Sequence, residues 1–160
     1  MTDLEIDDAR SIPLAAVRAD HGCFGCGSEN PIGLRLRFSR ENQGVSAEFV
    51  PGVEHQGFDG VVHGGIICTV LDEAMAWATA AAGLWALTGE MKTRFRRPLR
   101  AGERSMVHGS ISSRRGRVIF TRAELLLDDG TPIATASGTF LRVSAEQEAK
   151  WRTRYLAVSP

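Results

Sequence analysis

His63-Gly64-Gly65-Ile66-Ile67-Cys68-Thr69-Val70-Leu71-Asp72-Glu73-Ala74-Met75-Ala76-Trp77-Ala78-Thr79-Ala80-Ala81 is the one strong helical stretch in the chain. Ile66, Ile67, Val70, Leu71, Ala74, Met75, Ala78 and Ala81 recur at spacings of three and four, which gathers them on a broad face of an α-helix. Alanine is plentiful and Gly83 supplies a stop, so the spacing predicts a helix over 64–82. Much of its circumference is apolar, and it is expected to be buried on most sides.

Both flanks of this helix have strand patterns. Downstream, Thr88–Arg97 alternates in part and stops at Pro98. Met106–Ser113, Arg117–Leu127 and Pro132–Val143 follow, joined by turn signals at Arg100-Ala101-Gly102, Arg115-Gly116 and Asp128-Asp129-Gly130-Thr131. Upstream, Leu34-Arg35-Leu36-Arg37-Phe38 alternates apolar and basic residues, and Val45–Val50 alternates more weakly. Glu41-Asn42-Gln43-Gly44 between them predicts a hairpin. Pro51–Gly60 is a loop of a length that often carries function. Ser144–Leu156 opens with Ser144 and Gln147 at capping-box spacing and predicts a short terminal helix. The expected order is two strands, one buried helix, four strands and one helix. That order is an α+β domain whose antiparallel sheet wraps the long helix. Residues 1–20 are assigned to an N-terminal tail with a short helix around Leu14–Arg18. Residues 21–145 form the domain, and 146–160 a C-terminal helix and tail.

Bulk properties narrow the function. A chain of 160 residues can bury a core without disulfides or metals. Nineteen basic residues balance nineteen acidic ones, so no overall field draws the protein to nucleic acid or to an anionic membrane. No apolar run is long enough to cross a bilayer. Met1–Asp20 is acidic and lacks the apolar stretch of a signal peptide. Three cysteines, an odd count, argue for free thiols in a reducing compartment. A soluble cytoplasmic protein without nucleic-acid or membrane partners is expected.

Two features carry chemistry. Helix N-termini present unpaired backbone N–H groups and a partial positive charge. Gly64 and Gly65 would let a carbonyl oxygen approach those groups, an oxyanion-hole design, although the same glycines serve a plain tight turn. Asp72 sits mid-helix among Leu71, Ala74 and Met75, where a carboxylate is costly unless it is paired or used. A polar edge of an amphipathic helix is the plain alternative, and Glu73 beside it is assigned to the solvated face. Cys23-x-x-Cys26 near His21 has half the spacing of a zinc site. No second cysteine pair follows, so no metal site is expected and the intervening glycines suggest a tight turn. His55 and His108 are assigned to the surface or to hydrogen bonds, and Trp77 and Trp85 to the core or an interface.

His63-Gly64-Gly65, with Asp72 nine residues after the histidine, resembles the central motif of hotdog-fold thioesterases of the phenylacetate-pathway (PaaI-like) type. Cys23-Phe24-Gly25-Cys26-Gly27 with Asn30-Pro31-Ile32-Gly33-Leu34 is similar to the lead-in of a bacterial branch of that family. Phe95-Arg96-Arg97-Pro98-Leu99-Arg100-Ala101-Gly102 is similar to its strand ending in a proline and a glycine turn. The resemblance covers Cys23 to Val143. It implies a hotdog fold, in which a six-stranded antiparallel sheet wraps the central helix, with a short C-terminal helix following. It also implies homodimers, often paired into homotetramers, and hydrolysis of small acyl- or aryl-CoA thioesters, with coenzyme A as part of the substrate and no other cofactor. Carried over residue by residue, the Gly64 N–H would polarise the carbonyl, with Gly65 beside it. Asp72 would be nucleophile or general base, and His63 would hold the thioester or assist the leaving thiolate. Thr88 stands where family members can carry a hydroxyl near the attacking group. Some members have an asparagine six residues before the histidine; here that place is Gly57, and Gln56 offers the nearest amide. Apart from the resemblance, Arg115 and Arg117 lie at a turn within a basic cluster that includes Arg114, Lys92, Arg94, Arg96 and Arg97; their forks suit the phosphates of coenzyme A, and a solvated face is the plain alternative.

Two other readings remain beside hydrolysis: a hydratase or dehydratase acting on acyl thioesters, and a non-catalytic acyl-CoA-binding protein. Spacing adds one constraint. Gly64 and Asp72 are eight residues apart on one helix, a rise of roughly 12 Å, whereas a general base must come within about 3 Å of what it activates. If both act in one site, a two-fold partner must supply one of them.

Overall fold

Residues 118–127 alternate buried and exposed side chains, as a strand covered on one face must. In the computed structural model, which describes residues 11–157, that strand sits near the middle of the main sheet. The elements are β1 (Ser39–Glu41), β2 (Gly44–Phe49), β3 (Gln56–Phe58), β4 (Val61–Val62), α1 (Gly64–Ala81), β5 (Ala86–Phe95), β6 (Ser105–Arg115), β7 (Val118–Leu127), β8 (Pro132–Arg142) and α2 (Ala145–Tyr155). Six strands form one sheet in the order β1-β2-β6-β7-β8-β5, every neighbouring pair antiparallel. The expected α+β architecture, a six-stranded antiparallel sheet with one long helix and a short terminal helix, is what forms.

The inner face of the sheet packs on α1. Val107, Ile119, Leu125, Ile133, Ala134 and Phe140 meet Ile67, Val70, Leu71, Ala74 and Met75 in one buried cluster. The helix lies close because β6 carries Gly109 under it, where a side chain would run into the Ala74 backbone. α1 ends as its sequence predicts. Gly83 adopts φ +71°, its N–H donates to Ala80 O, and the Leu84 N–H donates to Thr79 O at 2.9 Å. Ser144 caps α2 by accepting from the Gln147 N–H at 3.2 Å.

The structure corrects two expectations. Leu34–Phe38 is not a strand; the first strand is Ser39–Glu41. Burial does alternate there, with Leu36 inside and Arg35 and Arg37 outside. Yet Arg35 has φ +56°, and the N–H groups of Leu34 and Leu36 donate to Phe24 O and Gly25 O, so the segment is laced to another loop. The Pro51–Gly60 loop holds a short 3-10 turn at Val53–His55 and the small β3–β4 ribbon. As expected, α1 is covered on most sides, with Gly65 its one exposed residue. Cys68, Thr69, Asp72, Glu73, Ala76 and Trp77 form a half-exposed stripe, although it contains few charges. Within the expected tail, Leu14–Ala16 is a 3-10 turn, and the Ile12 N–H donates to Ala81 O at 3.0 Å; residues 1–10 lie outside the described residues. Among the described residues no helix is long and apolar enough to cross a membrane.

Candidate active site

His63 is the N-cap of α1, with φ −62° and ψ 134°. Its Nδ1 accepts from the Gly65 N–H at 2.9 Å, so the ring proton is assigned to Nε2. The ring therefore occupies one of the two glycine N–H groups that the sequence points to. Among the described residues, the Gly64 N–H has no acceptor. The open donor at the helix start is thus Gly64 alone, and Gly65 serves the cap. The Phe95 ring borders this point, 3.4 Å from where a Gly64 side chain would begin.

Asp72 lies two turns further along α1 on the half-exposed stripe. Thr88, on β5, donates its hydroxyl to Asp72 Oδ1 at 2.7 Å. Burial pushes the Asp72 pKa up, the Thr88 hydrogen bond pulls it down, and the negative charge of the Cys23 thiolate adds to the rise. Gly89 is an extra residue in the β5–β8 ladder, between the pairs Thr88–Phe140 and Glu90–Thr139. Such a bulge bends its strand and re-aims the neighbouring side chain. Further contacts fix how α1 and β5 run. The Cys68 thiol reaches the Thr93 hydroxyl at 3.7 Å, and Gly64 is next to Phe95. Helix and edge strand therefore lie side by side in opposite directions.

The remaining candidates fall in three places. Gln56 Oε1 accepts from the Gly60 N–H at 2.8 Å, closing the β3–β4 turn. Gly57 backs onto the His63 ring, where a side chain would begin 3.1 Å from Cδ2. Arg115 and Arg117 flank the β6–β7 turn at Gly116, with φ +59°. Arg117 donates to Arg142 O at 2.8 Å. This turn lies at the Thr88 end of the sheet, since Thr88 pairs with Phe140 and Phe140 with Ile119. Outside the site, His55 Nδ1 accepts from the Gly52 N–H, and His108 pairs with Glu41 at 2.9 Å, the uses expected of them. Trp77 stacks on Phe38, and Trp85 is buried beside Trp151 and Tyr155.

Glu73 is a residue that sequence reasoning misplaced. It meets the lead-in loop and does not lie on a solvated face. Cys23 Sγ lies 3.8 Å from each of its carboxylate oxygens, and Trp77 Nε1 donates to it at 3.1 Å. Burial first, then the Cys23 charge, pushes its pKa up to about 7. In the same cluster the Cys23 pKa is lowered, chiefly because the Cys26 side chain hydrogen-bonds its sulfur, and the Cys26 pKa is raised by the same bond. The lead-in loop lies over the helix at this point, a contact no periodicity shows.

The thioesterase superfamily profile matches residues 59–134, from the turn between β3 and β4 into β8. Over those residues the chain has the thioesterase-superfamily pattern. Bovine acyl-coenzyme A thioesterase THEM4 is 26% identical to it over 129 residues, 79% of this chain and 53% of the relative. The chain thus spans about half the length of that curated relative. The crystal structure of RHA08564, a thioesterase superfamily protein, matches with a TM-score of 0.71 at 26% identity, over 75% of this chain and 60% of that one. PaaI of the Escherichia coli phenylacetic acid degradation operon shares the fold, with a TM-score of 0.64 at 19% identity, over 68% of this chain and 84% of that one. The domain is a hotdog fold. Its profile match takes in His63, Gly64, Gly65, Asp72, Thr88, Arg115 and Arg117.

Proposed function

We propose that this chain hydrolyses acyl-CoA thioesters at a site shared between two copies of itself. One observation carries the reading: an open Gly64 N–H at a helix start, with a hydroxyl-bound carboxylate, Asp72, on the same helix. The name of the bovine relative supports the substrate class.

The geometry of β5 supports the shared site. β5 is the last strand of the sheet, and Leu87 and Phe95 on it are 59% and 50% exposed. A second copy adding its own β5 antiparallel about the strand centre would set Phe95 of one copy near the Ala86–Thr88 end of the other. Gly64 travels with Phe95 and Asp72 with Thr88, so each Gly64 would meet the other copy's Asp72. The half-exposed stripe of α1 would be covered in the same step. Two such dimers pairing into a tetramer is the assembly the family resemblance implies.

In this site the thioester carbonyl oxygen accepts from the Gly64 N–H, whose place at the positive end of α1 favours the developing oxyanion. Asp72 either attacks the carbonyl carbon, giving an anhydride that water then cleaves, or takes a proton from the water that attacks. Both routes end in the free acid and coenzyme A. His63 holds the glycine turn through Nδ1 and presents Nε2–H outward, toward the leaving thiolate. Arg115 and Arg117 hold the nucleotide phosphates. Hydrolysis is favoured over hydration or dehydration because His63 spends Nδ1 on the cap and Asp72 pairs with a threonine.

A panel of acyl- and aryl-CoA thioesters, read by release of free thiol, tests this. Turnover of at least one class is expected. Tight binding without thiol release would establish the acyl-CoA-binding reading instead, and hydration products would establish the other enzyme.

A further inference from the structure

We propose that Cys23, Cys26 and Glu73 form a zinc site that fastens the lead-in loop to α1. The two sulfurs and a Glu73 carboxylate oxygen lie within 4.8 Å of one another, with Cys23 Sγ 3.8 Å from each Glu73 oxygen. A tetrahedral zinc ion with Zn–S of about 2.3 Å and Zn–O of about 2.0 Å holds its sulfur and oxygen ligands roughly 3.5 Å apart. Cys23 and Glu73 already stand near that spacing, and Cys26 lies within 4.8 Å of both, before any ion draws them in.

The loop is built for this placement. It closes on itself through the Gly27 N–H and Cys23 O at 3.0 Å, and the Cys23 N–H donates to His21 Nδ1 at 3.3 Å. A side chain at Gly25 would run into the Glu73 carboxylate, and one at Gly27 into the backbone of His21 and Cys23. Both glycines are therefore required by the approach of the two cysteines to the carboxylate. Trp77 Nε1 fixes the carboxylate from outside, as outer groups fix the ligands of metal sites.

Cys26 is buried, and Cys23 and Glu73 are half-buried. Three groups that bear negative charge when deprotonated are costly together in such a place unless a cation joins them. Thiolates select zinc over calcium or magnesium. Three protein ligands leave a fourth position for water, facing a cleft of about 280 Å³ lined by His21, Trp77, Trp85, Trp151 and Tyr155. The expectation of no metal rested on the lack of a second ligand pair. The fold supplies the third ligand from α1, next to Asp72.

The test reads the metal alone and does not depend on thioester hydrolysis. Protein purified under reducing conditions with zinc, then gel-filtered, is expected to hold one zinc per chain. Cobalt(II) in its place is expected to give thiolate charge-transfer absorption in the near ultraviolet and the visible bands of a four-coordinate ion. Cys23→Ser and Cys26→Ser should each weaken binding at least about tenfold, and Cys68→Ser, outside the cluster, should leave it unchanged. Glu73→Gln retains an acceptor for Trp77 and guards against misfolding of the cysteine variants; folded by circular dichroism, it too should bind at least about tenfold more weakly. Folded, reduced wild type that takes up neither zinc nor cobalt stoichiometrically overturns the proposal. So does a folded Glu73→Gln or Cys23→Ser protein with wild-type affinity.

Discussion

Thr88 donates its hydroxyl to Asp72 Oδ1 at 2.7 Å, joining the edge strand to the one carboxylate on α1 that faces β5. The bulge at Gly89 immediately follows, so the ladder gives up a regular pairing where Thr88 must point at the helix.

The first prediction follows from that bond. Thr88→Val keeps the shape of the side chain and removes the donor. The carboxylate then loses its orientation, and kcat should fall at least about tenfold with KM little changed, the pattern of an interaction used in the transition state. Thr88→Ser restores the hydroxyl and should recover most of the rate. Equal kinetics for the valine and serine variants would remove Thr88 from the machinery.

Asp72→Asn should lose hydrolysis by at least about a hundredfold, as expected when a nucleophile or base is replaced by a neutral amide. Its stability should behave differently. Burial works against the Asp72 charge, so the neutral side chain should melt no lower than the parent. Thiol release and a thermal melt on the same sample separate the two effects. A well-folded Asp72→Asn enzyme at near-parental rate would end the assignment.

Most of the architecture was legible in the sequence, and the reasons are local. α1 and β5–β8 each carry their own periodicity, and α1, β5, β6 and β7 are followed by Gly83, Gly102, Gly116 and Gly130, all of which take positive φ. Leu34–Phe38 misled because a segment bonded to a neighbouring loop buries alternate residues just as a strand does. Glu73 misled for a different reason: Cys23, which it meets, is 50 residues away in sequence, and on a helix wheel it sits at the polar edge. The His63 cap was unread as well, since imidazole is an uncommon cap. Its signal was there in the histidine placed one residue before the helix start.

Gly109 tests the packing that brings α1 to the sheet. A methyl group there would press into the Ala74 backbone, which cannot yield without moving the helix. Gly109→Ala should therefore destabilise the fold by about 1–3 kcal/mol, read as a lower urea midpoint. An unchanged midpoint would mean that α1 shifts freely on the sheet.

Arg115 and Arg117 separate phosphate binding from chemistry. Arg117 is partly engaged with Arg142 O. Arg115→Ala should thus be the cleaner variant, raising KM for CoA thioesters with kcat nearly constant. Short thioesters lacking the nucleotide should be cleaved equally by variant and parent. A variant that loses both substrates alike would show the arginine to be structural or catalytic.

The shared site admits a test by complementation. Gly64 is the first residue of α1, the position where proline is best tolerated. His63 before it already has φ −62° and ψ 134°, the conformation that proline imposes on its predecessor. Gly64→Pro should fold, lose only the proposed carbonyl donor, and be inactive; Asp72→Ala should be inactive for want of the carboxylate. Unfolded together and refolded, the two variants form mixed dimers in which one of the two sites joins an intact Gly64 from one chain to an intact Asp72 from the other. Such a dimer should recover up to about half the parental activity. Oligomeric size and circular dichroism of each variant are measured first, and subunit exchange is followed with a label on one variant. If both fold and exchange subunits and no thiol is released, the two residues do not meet across a dimer. A fully active monomer would exclude the shared site by a simpler route.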